Sequence, residues 1–165
     1  MDDRRQRFEA QALPHLDAAY NLARWLSRSP ADADDIVQDA MLRAFRAFDG
    51  FRGGDARAWL LAIVRNCWLS LGTATRRRGH TALEDTMADT GPDPEEAAIR
   101  SGQQRQLDAM IARLPVEFRE VLILREMEDM SYRDIAGITG APLGTVMSRL
   151  ARARAMLRDM MKEAS

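Results

Sequence analysis

Apolar residues recur at helical spacing along most of this chain, and the sharpest case lies near its C-terminus. At about 100° per residue, Val146, Leu150, Ala153 and Leu157 fall on one face of a helix, while Thr145, Ser148, Arg149 and Arg152 cluster about 120° away. One face has a core to join; the other presents short polar and basic side chains. A shorter helix begins at Ser131, with Asp134 three residues on in the manner of a capping box. Gly140-Ala141-Pro142 then supplies a helix stop, a turn and a residue suited to a first helical turn. The pattern predicts a helix-turn-helix over residues 131–158.

The N-terminal half predicts three further helices. Leu13, Leu16, Tyr20 and Ala23 give the first its apolar face, Ser29-Pro30 starts the second, and Asp55 caps the third. That third helix runs to about Arg78 with Leu60, Ile63, Val64, Cys67 and Leu71 on one side. On the second, Val37, Met41, Ala44, Phe45 and Phe48 form a core stripe, which turns Asp35, Asp39 and Leu42 outward with Gln38 at the edge. A helix ending near Leu114 and another from Pro115 to about Asp129 lead into the helix-turn-helix. No segment carries a credible strand pattern, so the fold class is all-α. Residues 79–94 lack apolar periodicity and hold two glycines and two prolines. A structureless run of that length is uncommon inside a compact domain. It therefore predicts two small helical domains, 1–78 and 102–165, joined by a flexible acidic linker at 79–101, with an ordered surface loop as the alternative. A flexible run over 79–94 would give an end-to-end distance of roughly 20–24 Å.

Composition narrows the class. Hydrophobic residues make up 46% of the 165 and charged residues 30%, and no apolar run approaches the roughly 20 residues of a membrane span. Charge follows Met1 without an apolar block, so no signal peptide and no membrane insertion are expected, and the location read from this is the cytoplasm. Cys67 alone cannot form an internal disulfide, and with His15 and His80 it leaves too few soft ligands for a typical zinc site. No metal, cofactor or catalytic residue is expected: there is no phosphate-binding glycine loop and no convincing nucleophile and base pair. The net charge of −1 hides an uneven distribution. Basic against acidic residues count 13 to 10 in 1–78, 1 to 6 in 79–101 and 10 to 9 in 102–165. The acidity sits in the middle and masks basic patches at the ends.

Those basic patches fit nucleic acid. Short side chains followed by arginines near the front of a second helix suit major-groove readout, because the guanidinium fork matches the paired acceptors of guanine. The run from Arg149 to Arg158 holds four basic residues and no acid, which favours DNA contact over a merely solvated face.

Three stretches also resemble a known family. Leu114-Pro115-Val116-Glu117-Phe118-Arg119-Glu120-Val121-Leu122, Ser131-Tyr132-Arg133-Asp134-Ile135-Ala136 and Gly144-Thr145-Val146-Met147-Ser148-Arg149-Leu150-Ala151-Arg152-Ala153-Arg154 closely resemble the C-terminal domain of extracytoplasmic-function sigma factors. The resemblance implies that this domain, sigma region 4, reads the minus-thirty-five promoter element through Thr145, Ser148, Arg149 and Arg152. Asp32-Ala33-Asp34-Asp35-Ile36-Val37-Gln38-Asp39 resembles the core-polymerase-binding motif of the N-terminal domain, sigma region 2. It implies that Asp35, Gln38 and Asp39, with the outward Leu42, dock the β′ subunit of core RNA polymerase, within an assembly that also contacts β. Acids in a first helical turn could instead simply complement the helix dipole, although that leaves Leu42 unexplained.

Phe51-Arg52-Gly53-Gly54-Asp55-Ala56-Arg57-Ala58-Trp59-Leu60-Leu61 and Arg65-Asn66 resemble the minus-ten region and imply DNA contact by Arg52 and Asn66. A glycine-bearing loop beside arginines and aromatics could hold an unstacked base, while Trp59 and Trp68, which flank the apolar stripe, read as partly buried packing residues rather than base platforms. The sequence then departs from the pattern at Ser70, Thr73 and Ala74, with Met147 a further departure. Its basic run falls at Arg76-Arg77-Arg78, where Arg76 and Arg77 either touch phosphate or complete a solvated helix end. The resemblance further implies promoter DNA and an anti-sigma factor as partners. The expected function is promoter recognition and transcription initiation for an alternative regulon. Rival readings are a stand-alone helix-turn-helix transcription regulator, which has no need of the Asp32–Asp39 surface, and a helical adaptor, which has no need of base-facing residues.

Overall fold

The computed structural model describes residues 2–77 and 102–164. The expected linker at 79–101 lies outside them, as does Arg78. Among the described residues every regular element is helical. The helices are α1 (Asp2–Ala12), α2 (Leu16–Ser27), α3 (Pro30–Ala47) and α4 (Ala56–Arg77), then α5 (Gly102–Arg113), α6 (Val116–Leu122), α7 (Tyr132–Thr139) and α8 (Leu143–Ala164).

Local chemistry sets most boundaries. Ser29 Oγ accepts from the Asp32 amide at 3.2 Å and starts α3, with Pro30 in the first turn. Asp55 Oδ1 accepts from the Arg57 and Ala58 amides at 2.9 and 3.3 Å and starts α4. Arg28 ends α2 in the left-handed conformation, its amide bonded to the Arg24 carbonyl.

α2, α3 and α4 pack on one another through Leu22, Leu26, Ile36, Ala40, Leu60, Leu61 and Val64, all buried. Two expectations shift here. Leu13 and Leu16 are exposed rather than core-facing, because a 3₁₀ turn at Leu13–His15 holding Pro14 resets the helical phase. Ala19, Leu22, Ala23 and Leu26 carry the buried face instead. The chain also opens with α1, which was not expected from its charge-rich sequence. Phe8 anchors it edge-on to Phe45 and Phe48, with ring centroids 5.2 and 5.5 Å apart, and Arg4 pairs with Asp49 at 3.0 Å.

In the C-terminal half the helix expected from Pro115 to Asp129 is not uniform. α6 passes at Leu122 into a π turn over Ile123–Met127, where the Glu128 amide reaches the Ile123 carbonyl. The turn keeps Ile123 and Leu124 fully buried while releasing Arg125 and Glu126 toward the helix-turn-helix. The two halves are not separate in space: one continuous apolar core runs from Leu22, Ile36 and Val64 through Val121, Leu124, Ile135 and Val146.

Candidate polymerase and nucleic-acid interfaces

The helix-turn-helix forms as its sequence requires. Ser131 Oγ accepts from the Asp134 amide at 3.0 Å, and Gly140, at φ +73°, ends α7 with its amide on the Ala136 carbonyl. Pro142 lies one residue before the first helical turn; its carbonyl accepts from the Val146 amide at 3.0 Å. Val146, Leu150 and Ala153 are buried, as expected, and Leu157 is half-buried. Ser148 and Arg152 are exposed, and Thr145 and Arg149 half-exposed, so all four expected base-facing residues share the outer side of α8. Ser148 Oγ bonds to the Thr145 carbonyl at 3.1 Å, and the Arg152 guanidinium lies 6.0 Å from the Phe118 ring. Arg154 turns aside along the surface, doubly bonded to Glu126 at 2.7 and 3.1 Å. Leu143 and Met147 are exposed apolar neighbours of this face.

α8 is aimed by the segment before it. The Arg125 guanidinium donates to the Met130 carbonyl at 2.9 Å and lies 4.8 Å from the Tyr132 ring, which fixes the entry into α7.

On α3, Asp35, Gln38 and Leu42 point to solvent, Leu42 at 56% exposure. Asp39 is a partial correction. Rather than sharing the centre of that face, it leans toward α4, half-exposed, pairs with Arg43 at 3.1 Å and hydrogen-bonds with the Cys67 side chain. At about 100° per residue Leu42 stands opposite the buried stripe Ile36, Ala40 and Ala44, with Gln38 and Asp35 on either side of it and Asp39 farther round. Burial is the main cause that pushes the Cys67 thiol up to about 11, with the Asp39 carboxylate second.

The expected minus-ten residues form a line rather than a pocket. Arg52 is exposed in the loop before α4, where Gly53 and Gly54 take φ of +92° and +90°. Asn66 is exposed about 15 Å along α4 at 1.5 Å per residue. Arg76 and Arg77 end the helix about as far beyond, and their side chains lie outside the described residues. Trp59 is half-buried against Phe51, with centroids 4.8 Å apart, and Trp68 is half-buried too, which makes both packing residues here.

The residues that join the halves gave no local signal. Arg65 on α4 donates twice to Glu120 on α6, at 2.7 and 3.1 Å. Arg119 donates to the carbonyls of Trp25, Leu114 and Ala112 at 2.7, 2.8 and 3.3 Å. Burial holds its guanidinium down at about 10, reinforced by the nearby Arg28 and opposed by Glu120. Contacts spanning 55 and 94 residues cannot be read from spacing.

Comparison with known proteins follows the same division. Residues 13–79 match sigma-70 region 2, and residues 104–157 match sigma-70, region 4. The ECF RNA polymerase sigma factor SigE of Mycolicibacterium smegmatis is 35% identical over 157 residues, covering 92% of this chain; the chain spans 60% of that relative's length. The ECF RNA polymerase sigma-E factor of Haemophilus influenzae is 34% identical over 151 residues, covering 84% of this chain and 78% of the relative. Among solved structures, the sigma factor RpoE from Bartonella quintana, crystallised with the anti-sigma factor NepR, aligns with a TM-score of 0.77 at 30% identity over 95% of this chain and 98% of that one. Two ordered regions, a relative matched over most of its length and a shared three-dimensional arrangement agree: the chain belongs to the ECF RNA polymerase sigma factors.

Proposed function

We infer that this protein binds core RNA polymerase and directs it to a set of promoters, acting as an initiation factor in the cytoplasm and not as an enzyme. The observation that carries the reading is the pairing, on one chain of this family, of an outward acidic-apolar face on α3 with an outward base-facing side on α8. Asp35, Gln38 and Leu42 dock polymerase, and Asp39 supports them from the α4 side. Thr145, Ser148, Arg149 and Arg152 read the minus-thirty-five element. Arg52, Asn66, Arg76 and Arg77 follow the backbone at the minus-ten element, which suits their spread from the loop before α4 to its last residues better than a base pocket does. Residues 1–78 and 102–165 are the two working units, joined through 79–101, and no cofactor or metal takes part. Promoter DNA and core polymerase are the partners. The co-crystal of the Bartonella relative with its anti-sigma factor supports an anti-sigma partner here as well.

Run-off transcription with purified core polymerase and a randomised promoter library tests the whole reading. Transcripts should start only when this protein is added and should enrich one pair of elements. Binding of duplex DNA with full selectivity in the absence of polymerase, and no transcription in its presence, would replace this reading with that of a stand-alone regulator.

A further inference from the structure

Two large apolar side chains at the start of α8 face solvent, Met147 at 51% exposure and Leu143 at 48%. Single apolar residues on a surface need no explanation, but these two stand four residues apart and so share one strip of the helix. At about 100° per residue the buried Val146, Leu150 and Ala153 mark the inner side of α8, and Ser148 stands nearly opposite them. Arg152, Thr145 and Arg149 follow round one side of Ser148; Met147 and Leu143 follow round the other. Ala151, one turn beyond Met147, is exposed and too short to shield it.

The two edges differ in chemistry. Guanidinium and hydroxyl groups line the first. On the second, Arg154 is committed to Glu126 at 2.7 and 3.1 Å, and Arg158 stands about 16 Å farther along the helix than Met147 at 1.5 Å per residue, where phosphate is its natural contact. The edge at Met147 therefore meets a groove with apolar surface. The second helix of a helix-turn-helix touches base edges with its N-terminal residues, and Met147 lies in the second turn of α8. In the major groove every base presents donors or acceptors, which an apolar side chain would strip of water and leave unpaired. Thymine alone adds an apolar group there, its C5-methyl. Methionine, unbranched and polarizable, suits such a contact.

We propose that Met147 reads a thymine of the minus-thirty-five element by covering its C5-methyl group, with Leu143 excluding water from the contact one turn before. α8 then reads with hydrogen bonds along one edge and with a methyl contact along the other. The assignment rests on α8 being the minus-thirty-five reader. It makes Met147 a specificity-determining residue and fixes one A·T pair of the element together with its orientation, since only the thymine presents the methyl.

The test uses the holoenzyme reconstituted from core polymerase and the full chain, bound to promoter fragments that carry the element enriched by run-off selection. Each thymine of the minus-thirty-five element, on both strands, is replaced in turn by deoxyuridine, which removes the C5-methyl and nothing else. The wild type should lose about fourfold in affinity at one position, the effect of exposing one methyl-sized group. Met147→Ala, a change at an exposed helical site that should keep helicity, should bind the thymine and uracil fragments equally at that position. If Met147→Ala loses helicity, Met147→Gln, of similar length but polar, decides in its place and should show the same parity. A wild type indifferent to every methyl overturns the assignment, as does an enriched element made of G·C pairs alone. A folded variant that keeps the uracil penalty overturns it too. So does one that weakens thymine and uracil fragments alike, which would make Met147 a contact to polymerase or to the DNA backbone. Absence of any promoter-dependent transcription is a separate result: it removes the minus-thirty-five reading itself, and this assignment with it.

Discussion

Arg149 and Arg158 leave the same helix in different directions, and their substitutions should separate base reading from charge. Arg149→Ala is expected to cost roughly 1–3 kcal/mol at the preferred minus-thirty-five sequence and to relax discrimination at one position. Arg158→Ala should weaken all sequences alike and flatten the salt dependence by about one unit of slope. Binding across a minus-thirty-five library at two salt concentrations checks both, and an unchanged preference in Arg149→Ala would remove it from base contact. Val146→Asp is the structural control: Val146 is wholly buried in the shared core, so the carboxylate should unfold the protein rather than alter its taste in DNA. Cys67 offers a test by pH. Its thiol, raised from 9.0 to about 11, holds its proton in the folded chain beyond the point where the unfolded chain gives it up. The stability this contributes is fully present below about pH 9 and is lost as pH rises through 11. Thiol alkylation at pH 8.5 should therefore be slow in the native protein and fast in denaturant, and equal rates would contradict the buried, proton-holding thiol.

At the scale of elements, α3 shows what patterning can and cannot deliver. Ser29, Pro30 and the stripe through Ala44 were legible because caps and amphipathic spacing act within a few residues. The position of Asp39 was not, since its lean toward Cys67 depends on how α4 packs beside it. Asp35→Arg should accordingly weaken core polymerase binding while leaving helicity intact, because a surface acid on an exposed position contributes little to folding. A fluorescence titration showing unchanged affinity would exclude this face. Cys67→Ala is the companion variant: it removes the hydrogen bond to Asp39 and should disturb binding less than Asp35→Arg. The helix-turn-helix was equally legible, down to Ser131, Gly140 and the four outward residues of α8. α1 was not, because it is charge-rich and gains its place from Phe8 and Arg4 against a helix some forty residues away. The π turn at Ile123–Met127 was hidden for a related reason: burying Ile123 and Leu124 together while freeing Arg125 and Glu126 is a demand of tertiary packing and leaves an ordinary helical pattern in the sequence.

For the molecule as a whole, reading two regions from sequence was sound, whereas their mutual packing had no trace in composition or spacing. Arg65, Arg119 and Glu120 each look like ordinary helix-surface charges until the halves are brought together. The continuous core has a thermodynamic corollary. Helices that share buried neighbours do not melt as independent lodgers, so the free protein should show a single calorimetric transition whose measured heat equals its van't Hoff enthalpy. Damage should also travel. Leu124→Ala, at a fully buried site in the C-terminal half, should cost about 2–5 kcal/mol and speed amide exchange of α2 in the N-terminal half by the same free energy as its own helix. Exchange that quickens in one half alone would mean that the shared interior, though continuous, does not bind their fates together.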